Sequence, residues 1–245
     1  MNRTEQGMLE KLPSFHVDTG MGFERILSIL NDRQSNYDTD LFQSLFDQIY
    51  KETRYEKNPV YSGSLTSAHD IAYRIIADHV RAIVVSVADG CTPSKTDAGF
   101  CLRKLIRRVH ILLRDQFQQK NSLHLMRILA DQVIESLGTA FPNLVLRREE
   151  IHKIISEEIQ HFQSKLRAAK KFVKQLSIDF ETSSNEKFIT GLDALRLQKR
   201  FGLAPETIDR LVAARGFKVD WAEFERLVQS DHEKTLQGQM HNNVK

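Results

Sequence analysis

Apolar residues recur with helical spacing along most of this chain and with strand spacing almost nowhere. One short exception, Ser14-Phe15-His16-Val17-Asp18, alternates polar and apolar and predicts a strand. Gly20 and Gly22 follow it, then Phe23, Ile26, Leu27 and Leu30 at helical intervals, so the reading is strand, glycine turn, helix. Leu41, Phe42, Leu45, Phe46 and Ile49 mark one face of a second helix from about Asp38 to Lys51. Residues 52–64, with Pro59 and Gly63 and no periodicity, predict an exposed connection.

Helices take over after that connection. Ser67 to Ala88 carries Ile71, Ile75, Ile76, Ile83, Val84 and Val87, apolar enough for a buried central helix, and Asp89-Gly90 stops it. A loop over 91–96 leads to Asp97, predicted as the N-cap of a helix from Ala98 to about Gln118. Further helices are predicted over 122–137, 147–176, 192–201, 205–215 and 221–234. Pro205 sits at a first helical position, and Asp220 with Glu223 forms a capping-box pattern. In the longest helix Ile151, Ile155, Ile159, Phe162, Leu166, Ala169, Val173 and Leu176 make a narrow seam, as in a helical hairpin or short coiled coil. The expected organisation is a small strand-containing segment, residues 1–60, followed by a mostly helical domain, residues 61–245.

Composition changes this picture little. The chain has 245 residues, 41% hydrophobic and 27% charged, an ordinary globular balance with room for two units. No apolar run approaches the roughly 18 residues that span a bilayer, so no membrane partner is expected. The net charge of +3 is too small to establish a polyanionic partner, and the placement of basic residues decides that question instead. Two cysteines, Cys91 and Cys101, build no disulfide framework and suit a reducing compartment. Met1-Asn2-Arg3-Thr4-Glu5-Gln6 has neither the layout of a secretory signal nor the character of a transit peptide. The nine histidines are scattered and lack zinc-ligand spacing, so no zinc site is expected. Trp221 is expected to pack against the preceding helix.

Two strings carry candidate chemistry. In Val17-Asp18-Thr19-Gly20-Met21-Gly22-Phe23-Glu24-Arg25, two glycines allow close backbone approach and an arginine in the first helical turn presents fixed charge to a phosphate. A plain tight turn gives the same pattern. In Phe100-Cys101-Leu102-Arg103-Lys104-Leu105-Ile106-Arg107-Arg108, Arg103 with Arg107 and Lys104 with Arg108 lie four apart on one helix flank. That flank reads either as a solvated face or as a helix that tracks RNA phosphates.

The first string resembles motif 3 of class II aminoacyl-tRNA synthetases. With Ser35-Asn36-Tyr37-Asp38-Thr39-Asp40-Leu41-Phe42 it is similar to the alanyl-tRNA synthetase family in particular. Ala72-Tyr73-Arg74-Ile75-Ile76-Ala77-Asp78-His79-Val80-Arg81, Ala88-Asp89-Gly90 and the basic helix resemble that family's tRNA-recognition domain. The likeness runs more weakly through Ser136 to Pro142 and Phe217 to Asp220, covering nearly the whole chain.

The resemblance implies a mainly α fold: a remnant of an antiparallel α+β class II core, then an all-helical tRNA-binding domain. It implies a ligase that activates alanine with ATP, accompanied by Mg2+, and transfers it to tRNA(Ala). Arg25 would contact the terminal phosphate of ATP as the catalytic cation, with Gly22 beside the nucleotide. Asp18 would hold the alanine ammonium, and Gly20 and Gly22 would line its pocket. Asp97, Arg103, Lys104, Arg107, Arg108 and Glu206 would face tRNA. Motifs 1 and 2 would precede residue 1, and editing and C-terminal domains would follow, so the chain is expected to be partial and inactive alone. A truncated tRNA-binding module without chemistry is the alternative. Where many members have asparagine followed by Arg-Gly-Tyr, this chain has Asp97-Ala98-Gly99-Phe100, and Glu206 stands where an aspartate is usual. The family's asparagine would use its amide on a guanine-uracil wobble pair of the acceptor stem. A carboxylate accepts but cannot donate, so the resemblance does not carry wobble-pair reading over to Asp97 and Glu206, although Arg108 keeps its place. The drift resembles a mitochondrial member more than a cytoplasmic one.

Overall fold

The computed structural model describes residues 1–54, 58–183 and 188–230. The chain forms two compact units, 1–44 and 45–245, and the division falls inside a helix.

In the first unit β1 (Asn2–Arg3) pairs antiparallel with β2 (Leu9–Glu10), Asn2 opposite Glu10. Helix α1 (Phe23–Leu30) starts from Gly22, and a 3-10 turn over Asn36–Asp38 leads into α2 (Asp40–Thr53), two residues later than the apolar face predicts. The strand predicted over Ser14–Asp18 does not form. Phe15 and Val17 are 106% and 96% exposed and no described strand pairs with them, so the alternation has neither a ladder nor a covered face to settle it.

The second unit is built on α3 (Ala68–Ala88), whose Tyr73, Ile76, Val80, Ile83, Val84 and Val87 are fully buried. Around α3 pack α4 (Asp97–Asp115), α5 (Ser122–Leu137) and the first half of α7 (Arg148–Ser183). Each such apolar side chain contributes about 1.5–3 kcal/mol on burial, which makes α3 the keystone the pattern predicted. Ser67 caps its start by accepting from the Asp70 amide. Arg147 closes its end, donating through Nη1 to the Ala88 carbonyl at 2.6 Å. A short α6 (Pro142–Leu146), which the sequence did not mark, joins α5 to α7.

A second apolar cluster gathers the later half of α7, α8 (Gly191–Phe201), α9 (Pro205–Ala213) and α10, the last helix among the described residues, over 221–230. The seam on α7 is therefore no two-helix coil: Ile151, Ile155 and Ile159 are buried against the α3 bundle, while Phe162, Leu166, Ala169 and Val173 join the second cluster. A two-residue parallel ladder, β3 (Phe188–Ile189) with β4 (Lys218–Val219), also adds to an otherwise helical domain. The capping box at α10 is half formed. Asp220 accepts from the Glu223 amide at 2.9 Å, but Glu223 turns away to accept from the Gly191 amide that opens α8.

Candidate functional site

Asp18, Gly20 and Gly22 lie in an exposed segment with no regular structure, and Arg25 stands exposed on the first turn of α1. A Cβ at Gly20 would meet nothing within 4 Å, and one at Gly22 would touch only the Arg25 side chain, at 3.5 Å or more. Neither glycine has a positive φ. A tight turn therefore does not explain them, and what they leave open is the surface beside Arg25. Helix α1, which begins inside the first string, is tied to the second: Ser28 Oγ donates to Asn36 Oδ1 at 3.1 Å, and within the second string Thr39 Oγ1 donates to the Asn36 carbonyl at 2.8 Å. Asn36 thus holds the 3-10 turn against α1.

On α4 the basic stripe divides. Lys104 and Arg108 are exposed and make no ion pair with a described residue; the Lys104 ammonium lies 5.1 Å from the centre of the exposed Phe100 ring. Arg107 turns inward, with its side chain 8% exposed, and pairs with Glu158 of α7 at 2.6 Å. Its Nη1 donates to the Gly202 carbonyl at 3.2 Å, and its guanidinium lies 4.8 Å from the Phe162 ring centre. Burial pulls its pKa down and Glu158 opposes that shift, leaving a cation held by one carboxylate. Arg103 lies on the same side, 3.6 Å from Glu158, and donates to the Ser94 carbonyl at 2.7 Å. Of the four basic residues that the spacing of four grouped, two therefore face solvent and two face Glu158.

Glu158 is the residue that sequence reasoning missed. It sits 51 positions from Arg107, and nothing in local spacing pairs them. The one available signal was a glutamate on the flank of an otherwise apolar seam. Gly202 is fitted to the same contact: it has φ +67 as the residue that ends α8, and a Cβ there would collide with Arg107 Nη1.

The start of α4 differs from expectation in one detail. Thr96 is the N-cap, without a side-chain bond, and Asp97 is the first helical residue, exposed and at φ +53. The loop before it lies directly on the helix, because a Cβ at Gly99 would sit 2.3 Å from the Thr92 carbonyl oxygen and 2.5 Å from Ser94 Oγ. Glu206, the second residue of α9, lines a surface hollow with Pro205, Asp209, Arg210, Ala213 and Trp221. Trp221 reaches α9 as expected, its indole N–H donating to Asp209 at 3.4 Å. The side chains of Asp97 and Glu206 make no hydrogen bond or ion pair with any described residue. Among the described residues, no group of three or more His, Cys, Asp or Glu side chains could hold a metal ion.

The whole chain, residues 1–245, matches the family described as tRNA synthetases class II (A). It is 39% identical to the alanine–tRNA ligase of Chlorobium chlorochromatii over 93% of this chain and 25% of that protein. It is 35% identical to the alanine–tRNA ligase of Candida albicans, over 95% of this chain and 24% of that protein. The cytoplasmic alanine–tRNA ligase of Drosophila melanogaster is 34% identical, over 91% of this chain and 23% of its own length. The chain thus spans about a quarter of the length of these relatives.

Proposed function

Because the chain belongs to the class II tRNA synthetases (A), we propose that it is part of an alanine–tRNA ligase that activates alanine with ATP and transfers it to tRNA(Ala). The observation that carries this reading is the likeness to alanine–tRNA ligases along more than nine-tenths of the chain. In the proposal residues 1–60 end the catalytic core and 61–245 hold the tRNA.

Arg25 donates to the terminal phosphate of ATP, where charge grows as pyrophosphate leaves, and a fixed guanidinium stabilises that charge more than the ground state. Asp18 pairs with the alanine ammonium. Gly20 and Gly22 supply backbone that the small amino acid and the nucleotide can approach, which agrees with the open space around both. Mg2+ arrives with ATP in this reading and neutralises phosphate charge. Lys104 and Arg108 contact tRNA phosphates from the exposed side of α4, while Arg103 and Arg107 set the position of that helix through Glu158. Asp97 and Glu206 lie toward the acceptor stem. The departures at Asp97 and Glu206 are the ground for proposing a mitochondrial member; imaging the tagged full-length gene product tests that compartment.

The deciding experiment is alanine-dependent ATP–pyrophosphate exchange by the full-length protein. Exchange with alanine, slowed about 10²-fold or more by Arg25→Ala, supports the reading. Exchange that needs another amino acid, or that Arg25→Ala leaves unchanged, refutes it.

A further inference from the structure

The charge on α7 is divided along its length. Residues 148–158 mix acids and bases, whereas residues 159–178 contain Lys165, Arg167, Lys170, Lys171 and Lys174 and no Asp or Glu. Arg167, Lys170, Lys171 and Lys174 are all exposed, and none makes an ion pair with a described residue. Their spacing puts them on one flank of the helix, about 10 Å from first to last along the axis. Glu158 and Lys165 lie on the other flank, the one that faces α4. Lys165 is partly buried there, and its pKa is lowered first by burial and then by Arg107 and Arg103.

Stability of the isolated helix does not account for this stripe. Arg167 with Lys170 and Lys171, and Lys174 with Lys170 and Lys171, are like-charge pairs three or four residues apart, which oppose helix formation. The helix dipole does not account for it either, because α7 continues to Ser183 and has no basic residue in its last turn, where that effect acts. A polyanion laid along the flank relieves the repulsion, and about 10 Å matches roughly three phosphates of one strand.

We propose that Arg167, Lys170, Lys171 and Lys174 form a second phosphate-tracking surface, binding the sugar–phosphate backbone of the tRNA at a place separate from the α4 contacts. The inference rests on the proposed tRNA function and deepens it. Contacts of this kind position the nucleic acid and carry no base information, so the stripe contributes affinity and salt dependence and leaves base-pair discrimination unchanged.

The test titrates a tRNA(Ala) transcript against the full-length protein at several salt concentrations, for the wild type, for Lys170→Gln/Lys171→Gln/Lys174→Gln and for the matching triple arginine variant. Each lost contact removes a little under one unit from the slope of log K against log salt, so the glutamine variant's slope becomes shallower by about two to three units. The arginine variant keeps the wild-type slope. Circular dichroism shows both variants folded, since their changes remove or keep repulsion and touch no core. A wild type that binds steeply while the glutamine variant shows the same slope overturns the stripe and leaves the tRNA function standing. A wild type that binds no tRNA overturns both. Binding to phosphatidylcholine–phosphatidylserine vesicles at a salt concentration where tRNA binding is lost overturns the assignment to RNA.

Discussion

Removing the Arg107 side chain separates a buried structural cation from the exposed ones beside it. Arg107 and Glu158 have side chains 8% and 9% exposed, and 2.6 Å separates them. With Arg107→Ala, Glu158 keeps only Arg103, at 3.6 Å, and becomes a buried carboxylate with a weaker partner. Losing one member of such a pair costs about 3–5 kcal/mol, and the lost bond to Gly202 and the Phe162 ring contact act in the same direction. Arg108→Ala, one residue away on the solvent side, stays within about 0.5 kcal/mol of wild type. Arg107→Met combined with Glu158→Leu recovers part of the loss, because neither of these charges is then buried alone, while Arg103 loses its carboxylate and keeps its bond to the Ser94 carbonyl. Urea denaturation followed by circular dichroism measures all of these. An Arg107→Ala cost below about 1 kcal/mol, or an equal cost for Arg108→Ala, refutes the assignment. In tRNA titrations Lys104→Ala and Arg108→Ala each flatten the salt slope by just under one unit, and Arg107→Ala does not.

Other consequences are open to direct measurement. Gly99→Ala must push the 91–96 loop off α4 and lowers stability by about 1–3 kcal/mol, read as a fall in melting temperature; an unchanged value would mean the loop does not bear on that turn. His110 is 1% exposed beside Ser122, and burial pulls its pKa down from 6.5 to about 4. The unfolded chain then binds the proton first, so stability present above pH 6.5 is lost as pH falls toward 4, by about 3 kcal/mol, and His110→Gln flattens the fall in the urea midpoint across that range. If Asp18 pairs with the alanine ammonium as proposed, Asp18→Asn in the full-length protein raises KM for alanine more than for ATP; equal rises would point to a collapsed loop. Asp97→Asn restores a donor at a left-handed position that asparagine tolerates, so discrimination between a wobble and a Watson–Crick acceptor pair sharpens without loss of stability, and aminoacylation of the two transcripts checks it.

The helical half of the fold was legible because each helix carries its own signal. Ser122 to Leu137 has the predicted bounds, α3 begins at a serine cap and ends at Asp89-Gly90, and Pro205 opens α9. Where a feature depends on distant partners the chain gave little warning. The Ser14–Asp18 alternation describes a side chain's need for a covered face, and whether a neighbouring strand supplies it lies outside local pattern. The β3–β4 ladder joins two residues to two others 30 positions away. The same limit governs the basic helix. Spacing four apart places Arg103 with Arg107 and Lys104 with Arg108, but which pair turns inward depends on Glu158, and only the fold brings that residue near. Near the motif the order reverses: Asp18 and Arg25 are plain in the sequence, while the structure adds the bond from Ser28 that holds α1 against Asn36 of the second string.

At 36 residues, α7 is a rod of about 54 Å shared by two separate apolar clusters. Such a shaft fixes angular phase as well as distance. One residue inserted between Ile159 and Phe162 would turn everything beyond it by about 100°, so that Phe162, Leu166, Ala169 and Val173 would swing away from α8 while Ile151 and Ile155 stayed seated. Four inserted residues would turn it by about 40° and lengthen it by about 6 Å, a far smaller error in phase. The helix should therefore tolerate length changes near whole turns and reject single insertions, as a keyed shaft accepts only certain rotations.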